Sequence, residues 1–409
     1  MKYILVIGDG MADLPQDALG GRTPLEAAQK PLIDSLAARG IVGKARTVPI
    51  GVPPGSDTAI LSIFGFDPRE VYTGRSPLEA AGSGLELKAG NISFRCNLCA
   101  ISELGEGGAY EEQTMLSHSG GAIEGELAQA LMRDLIADEG FAALLAEYGL
   151  WFQVNPSYRH IAVLEKGSDR VTLEPPHEIL GQGIKKYLPK GDGEGMLLAL
   201  MKASYEILGR HPINEARRRE GKPAANSLWF WGQGKAVRLS DFGENFGHFG
   251  GVITAVPLVK GIARLAGLPA PEVEGANGEL DTNYEGKVEA ALLSLQKNDF
   301  AALHIEAPDE MSHAGDLEKK LEAIARIDRR VFAPLLVGLD KLKEPYRILF
   351  LSDHYTLLSS GGHEGSPVPF LLYDSRVDLG RGLPYGEPSA ELGGLMEDAT
   401  KLMPLLFEQ

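Results

Sequence analysis

Seven residues of this chain could together hold metal ions and a phosphoryl group. Asp9 closes the run Lys2-Tyr3-Ile4-Leu5-Val6-Ile7-Gly8. Asp309 and His313 stand in Glu306-Ala307-Pro308-Asp309-Glu310-Met311-Ser312-His313, Asp353 and His354 in Ser352-Asp353-His354, and His363 in Gly361-Gly362-His363-Glu364. The i, i+4 spacing of Asp309 and His313 puts both on one face if that segment is helical. Mixed carboxylate and imidazole donors suit Mn²⁺ or Zn²⁺ better than Ca²⁺, and six of them are enough for two ions. The seventh residue, Ser56, follows the Gly/Pro turn Gly51-Val52-Pro53-Pro54-Gly55 and opens an apolar-periodic segment. Its plainest role there is a helix N-cap. The same position would offer a phosphate free backbone N–H groups and the positive end of a helix, and a metal on the hydroxyl would make Ser56 a phosphoryl acceptor.

Taken singly, each element has an ordinary explanation, since an Asp after a strand is commonly a cap and Asp-His is a common dipeptide. Their joint placement at strand ends sets them apart. Lys2–Ile7, Gly251–Val256, Ala301–Ile305 and Arg347–Leu351 read as buried strands, and Pro31–Arg39, Tyr284–Gln296 and Leu317–Phe332 as helices, the last ending before Pro334. This alternation predicts an α/β core, a mainly parallel sheet flanked by helices. In such sheets ligands gather outside the carboxyl ends of the strands, so the three groups should converge. His304, inside its strand, is expected to face the core or a helix. Between about Asn91 and Leu188 the texture changes to short alternating strands (Phe94–Ile101, Trp151–Gln153, His160–Leu164), a helix (Glu124–Gly140) and the Pro-rich Glu174-Pro175-Pro176-His177. The expected organisation is a core of residues 1–90 and 189–409 with residues 91–188 as an inserted, smaller α+β cap domain.

Composition limits the function classes. At 409 residues the chain exceeds the about 100–200 residues of one domain. With 44% hydrophobic and 23% charged residues it is ordinarily globular. A formal net charge of −16 argues against nucleic-acid or anionic-membrane partners and favours a small metabolite. No apolar run approaches the about 20 residues of a membrane span, and no signal peptide is evident, so a cytoplasmic location is expected. Cys96 and Cys99 allow no disulfide framework, and residues three apart on a strand face opposite ways, so they read as structural. Gly191-Asp192-Gly193-Glu194-Gly195 matches neither nucleotide-binding glycine motif. Nothing in the sequence sets an oligomeric state.

The ligand order Asp9, Ser56, Asp309, His313, Asp353, His354, His363 resembles the alkaline phosphatase superfamily. The stretches GVPPGSDTA, YTGRSPLEAAG, FRCNL, PSYRH, PPHEILG, WFWGQGK, DTNYEGK, EAPDEMSH and SPVPFLLY resemble the archaeal-type cofactor-independent phosphoglycerate mutases, and more narrowly a bacterial branch also proposed to be a homoserine kinase. The resemblance spans nearly the whole chain. It implies an alkaline-phosphatase-like core and a two-metal phosphotransferase whose serine takes the phosphoryl group and returns it to a different hydroxyl of the same glycerate. One Mn²⁺ or Zn²⁺ would sit on Asp309, His313 and His363, and the other on Asp9, Asp353, His354 and Ser56; no nucleotide and no bisphosphoglycerate would be needed. The Asp-Arg-rich glycerate-binding segment of the longer mutases has no recognisable counterpart here. Arg159, His160, His177 and Lys260 are the residues expected to bind substrate instead. A phosphotransferase acting on another small hydroxylated acceptor such as homoserine, and a protein whose Asp/His cluster is purely structural, are the alternatives.

Overall fold

The computed structural model describes residues 1–103 and 108–407. The chain divides into two compact units: residues 1–72, 81–83 and 238–409 form the first, and residues 73–80 and 84–237 the second.

The first unit is built on a seven-stranded sheet. Its strands lie in the order Gly250–Ile253, Phe300–Ile305, Lys2–Gly8, Tyr346–Leu351, Val368–Asp374, Ile41–Ala45 and Leu395–Met396. Only Val368–Asp374 runs against its neighbours. The central strands Phe300–Ile305 and Tyr346–Leu351 are buried along their whole length, as a parallel sheet covered on both faces requires. The expected strands and the mainly parallel α/β sheet are therefore present. One helix differs. Leu317–Arg326 does not stop before Pro334 but passes through a π-helical stretch, Ile327–Phe332, into Ala333–Leu342. Proline has no N–H to give; the wider turn just before it keeps the chain helical where a regular α-helix would break.

The second unit is an antiparallel sheet with helices. Ile92–Ile101, buried at every position, is its central strand. On one side it pairs with Arg159–Leu164 and, near its end, Met115–Ser117; on the other it pairs with Ser227–Lys235. This unit reaches well beyond the expected 91–188. The strand completing its sheet, Ser227–Lys235, comes after the helices Glu194–Gly209 and Pro212–Arg219, and Leu197, Leu200, Met201 and Leu208 of the first of these lie in the same core as Phe94, Phe141 and Trp229. Cys96 and Cys99 are both fully buried free thiols in that core. Among the described residues no helix is long and apolar enough to cross a membrane.

Candidate metal and phosphoryl site

Strand order brings the ligand groups together. Phe300–Ile305, Lys2–Gly8 and Tyr346–Leu351 are neighbours in the sheet and parallel, so their carboxyl ends open side by side. Asp9 follows the second directly. After the first comes the helix Ala307–His313, with Pro308 in its first turn and Asp309 and His313 one turn apart. After the third come Asp353 and His354, then a hairpin of Tyr355–Leu357 with Gly362–Glu364 that sets His363 opposite Thr356. The backbone at Gly10 must be close and left-handed: φ is 59°, and a Cβ there would lie 2.5 Å from Asp309 Oδ1.

Two donor groups result, of which Asp309, His313 and His363 are one. Asp309 Oδ2 lies 3.0 Å from His313 Nε2, Asp309 Oδ1 lies 3.5 Å from His363 Nε2, and the two imidazole nitrogens are 3.1 Å apart. His313 Nδ1 donates to the Gly361 carbonyl at 2.7 Å, which leaves Nε2 as the free donor atom. Asp9, Asp353, His354 and Ser56 form the other. Ser56 Oγ is 3.2 Å from His354 Nε2 and 3.5 Å from Asp9 Oδ2. His354 Nε2 is 3.3 Å from Asp353 Oδ2, while its Nδ1 lies 3.1 Å from Thr356 Oγ1, whose hydroxyl is given to Asp309. Ser56 is not the cap of its helix. Gly55 holds that position, and Ser56 is the first helical residue, making no capping hydrogen bond.

The donor chemistry fits two divalent cations. Asp353 Oδ1 accepts N–H bonds from Gly10 and His354, yet its Oδ2 is buried without a hydrogen-bond partner, and so is Asp9 Oδ1. Buried carboxylate oxygens left open in this way cost free energy unless a cation or water meets them. Burial, and then the nearby charges of Asp353 and Asp309, push the Asp9 carboxyl well above its ordinary range. Asp309 goes the other way: burial opposes its ionisation, but the hydrogen bonds from His313 and His363 hold it well below the usual value. The bond to Asp309 raises His313 to about 9, and burial lowers His354. Asp9 and Asp309 reach within 4.8 Å of one His354 nitrogen and of each other, and Asp9, His304 and Asp353 are grouped as closely.

His304 does face the core, but its Nε2 meets Asp9 Oδ2 at 3.1 Å. The available sequence signal was the period of a strand: His304 and Glu306 stand two apart and share a face.

The expected substrate-binding residues separate. Lys260 is engaged by Glu272 at 2.5 Å, on the helix Pro257–Leu265. It was assigned from its place after a strand, which does not reveal a nearby acid in the following loop. His160 is buried on Arg159–Leu164, accepting the Asn155 N–H at 3.2 Å; burial holds its imidazole down near 3. It points into the sheet core because it alternates with Arg159. Arg159 and His177, in contrast, belong to a cluster within the second unit. Glu79 lies 3.0 Å from Arg75 Nε and 2.9 Å from Arg95 Nε, and Arg159 adds to the same field. The Arg95 guanidinium stacks 3.8 Å from the Trp231 ring, and His177 packs edge-on to Trp231. Burial lowers Arg95 to about 10, with Glu79 opposing; burial and Arg95 lower His177 to about 4. Two guanidinium groups thus pair with one buried carboxylate, and Arg159 adds positive charge to its surroundings. Arg75, Glu79 and Arg95 were missed, although an arginine inside the apolar strand Ile92–Ile101 was itself a signal.

The sheet, its strand-end carboxylates and imidazoles, and the serine opening a helix beside them define an α/β core of mainly parallel strands with a set of metal-type donors at the strand ends. Residues 37–214 match the model of the family described as 2,3-bisphosphoglycerate-independent phosphoglycerate mutase. A Geobacter sulfurreducens protein described as a probable 2,3-bisphosphoglycerate-independent phosphoglycerate mutase is 46% identical, with both chains covered completely. A solved Pyrococcus horikoshii protein is 32% identical with a TM-score of 0.79, over 100% of this chain and 98% of that one. The cofactor-independent phosphoglycerate mutase from Thermoplasma acidophilum is 25% identical with a TM-score of 0.63, over 100% and 99%. The chain belongs to the 2,3-bisphosphoglycerate-independent phosphoglycerate mutase family.

Proposed function

We propose that this chain interconverts 3-phosphoglycerate and 2-phosphoglycerate in the cytoplasm, through a phosphoserine at Ser56 beside two divalent cations, with no nucleotide and no bisphosphoglycerate. One observation carries the reading: Ser56 Oγ, at a helix start, lies 3.2 Å from His354 Nε2 and 3.5 Å from Asp9 Oδ2, within a group of donors in which Asp9 Oδ1 and Asp353 Oδ2 are buried without a hydrogen-bond partner. Asp309, His313 and His363 would hold one Mn²⁺ or Zn²⁺; Asp9, Asp353, His354 and Ser56 would hold the other. Bound there, the cations supply Lewis acidity that eases ionisation of the hydroxyl and offsets repulsion from the phosphate oxygens. In the first half-reaction the Ser56 oxygen bonds to phosphorus, the ester bond to the glycerate oxygen breaks, and that oxygen leaves as a hydroxyl. In the second, the other glycerate hydroxyl attacks the same phosphorus and Ser56 is released. Backbone N–H groups at the start of Ser56–Ile63 favour the phosphate electrostatically. Arg95 and Arg159, with His177 in the same cluster, are read as binding the glycerate carboxylate, the kind of planar anion that guanidinium groups pair with.

The test is turnover of purified protein on 3-phosphoglycerate with neither nucleotide nor bisphosphoglycerate added. Production of 2-phosphoglycerate that stops on exhaustive chelation and returns with Mn²⁺ or Zn²⁺ is the expected result. Full activity in metal-free protein, or phosphorylation of homoserine from ATP with no glycerate turnover, would overturn it.

A further inference from the structure

Behind Asp9 runs a buried chain of alternating charge that none of the steps above uses. Lys287, from the helix Tyr284–Lys297, places its Nζ 2.5 Å from Glu306 Oε2 and 3.1 Å from the His304 carbonyl. Glu306 Oε1 accepts the Thr254 hydroxyl and the Ala255 N–H, each at 3.0 Å, and lies 3.2 Å from His304 Nδ1. His304 Nε2 then reaches Asp9 Oδ2 at 3.1 Å. Lys287, Glu306, His304 and Asp9 all show side-chain exposures of 5% or less.

We propose that His304, backed by Glu306 and Lys287, is the positioning residue that fixes Asp9 for its cation. Its ring is spanned between two carboxylates, with Nδ1 3.2 Å from Glu306 Oε1 and Nε2 3.1 Å from Asp9 Oδ2, so Glu306 sets where the imidazole meets Asp9. The two oxygens of Asp9 differ: Oδ2 lies 3.1 Å from His304 Nε2 and 3.5 Å from the Ser56 hydroxyl, and Oδ1 is buried without a hydrogen-bond partner. Those of Asp353 differ too, with backbone N–H groups on Oδ1 and an open Oδ2. A buried ionic chain contributes little net stability against an apolar replacement, but it does restrict geometry, and outer partners of this kind tune metal affinity by about 10–100-fold.

The inference rests on the proposed two-cation centre, and its test is metal binding rather than turnover. Metal-stripped protein is titrated with Mn²⁺, and the ion bound by Asp309, His313 and His363 is assigned with His363→Ala, which weakens that one. His304→Leu should weaken the other ion by about 10–100-fold and leave the His363-dependent ion within about twofold. Glu306→Gln, which keeps the imidazole but unties it, should weaken the same ion by about tenfold, at the low end of that range. It decides the matter if His304→Leu does not fold. Unchanged affinity for both ions, or equal loss of both, would show that the chain only packs the core and would overturn the proposal. Wild-type protein that binds no Mn²⁺ would overturn the two-cation centre and this inference together, a failure seen before any substitution is made.

Discussion

Ser56 opens its helix without capping it, so its hydroxyl is free of structural duty and its loss can be read as chemistry. Ser56→Ala should lower turnover by orders of magnitude while thermal unfolding stays near that of the wild type, since even true cap residues are worth only about 1 kcal/mol. A large drop in melting temperature would assign the serine a structural role. His160 makes the opposite kind of prediction. Its folded imidazole is held near 3 by burial, below the unfolded value of about 6.5, so its contribution is fully present above the unfolded value and is lost as pH falls toward the folded one. Denaturation midpoints measured between about pH 6.5 and about pH 4 should fall more steeply for the wild type than for His160→Leu. Residue types and spacing pointed to Asp9, Ser56, Asp309, His313, Asp353, His354 and His363, which gather at the strand ends, but not to His304, whose Nε2 lies 3.1 Å from Asp9 Oδ2. They could not separate Arg159 from His160, because adjacent strand residues face opposite ways and no single position reveals which face is buried. They missed Arg75 and Arg95 because the partner that gathers them, Glu79, is a tertiary neighbour of Arg95.

At the scale of elements, the helix Pro31–Arg39 shows where local signals end. Its proline start and apolar face were legible, but Lys30, at the cap position, makes no capping side-chain hydrogen bond and instead gives its Nζ to Asp34 at 2.6 Å. The acceptor comes from the π-helical stretch instead: Asp328 Oδ1 takes the Ile33 N–H at 2.8 Å. Asp328→Ala should therefore cost about 1–2 kcal/mol in chemical denaturation, as a lost cap does, with the number of bound cations unchanged. Loss of cation binding along with stability would mean the helix also supports the donor residues. The same stretch explains why the helix end before Pro334 was misplaced. A proline forbids one hydrogen bond, and whether the chain breaks or widens its turn depends on what packs around it, here buried Ile327, Asp328, Val331 and Phe332.

For the whole molecule, the parallel core was readable from its alternating strands and helices, whereas the extent of the second unit was not. Antiparallel partners can be far apart in sequence, and Ser227–Lys235 returns to Ile92–Ile101 only after two helices. The substrate-binding role proposed for the arginine cluster of the second unit can be tested kinetically. Arg95→Ala and Arg159→Ala should raise KM for phosphoglycerate by at least about tenfold, the scale of one charge-assisted hydrogen bond, while leaving Mn²⁺ stoichiometry intact; an unchanged KM would make the cluster merely structural. The covalent step is the core of the account, and it is reached most directly by brief incubation with 3-phosphoglycerate radiolabelled in its phosphate, followed by acid quench and mapping of the labelled peptide. Label on Ser56 from the glycerate and none from labelled ATP is the predicted result; an unlabelled serine during active turnover, or label arriving only from ATP, would contradict it.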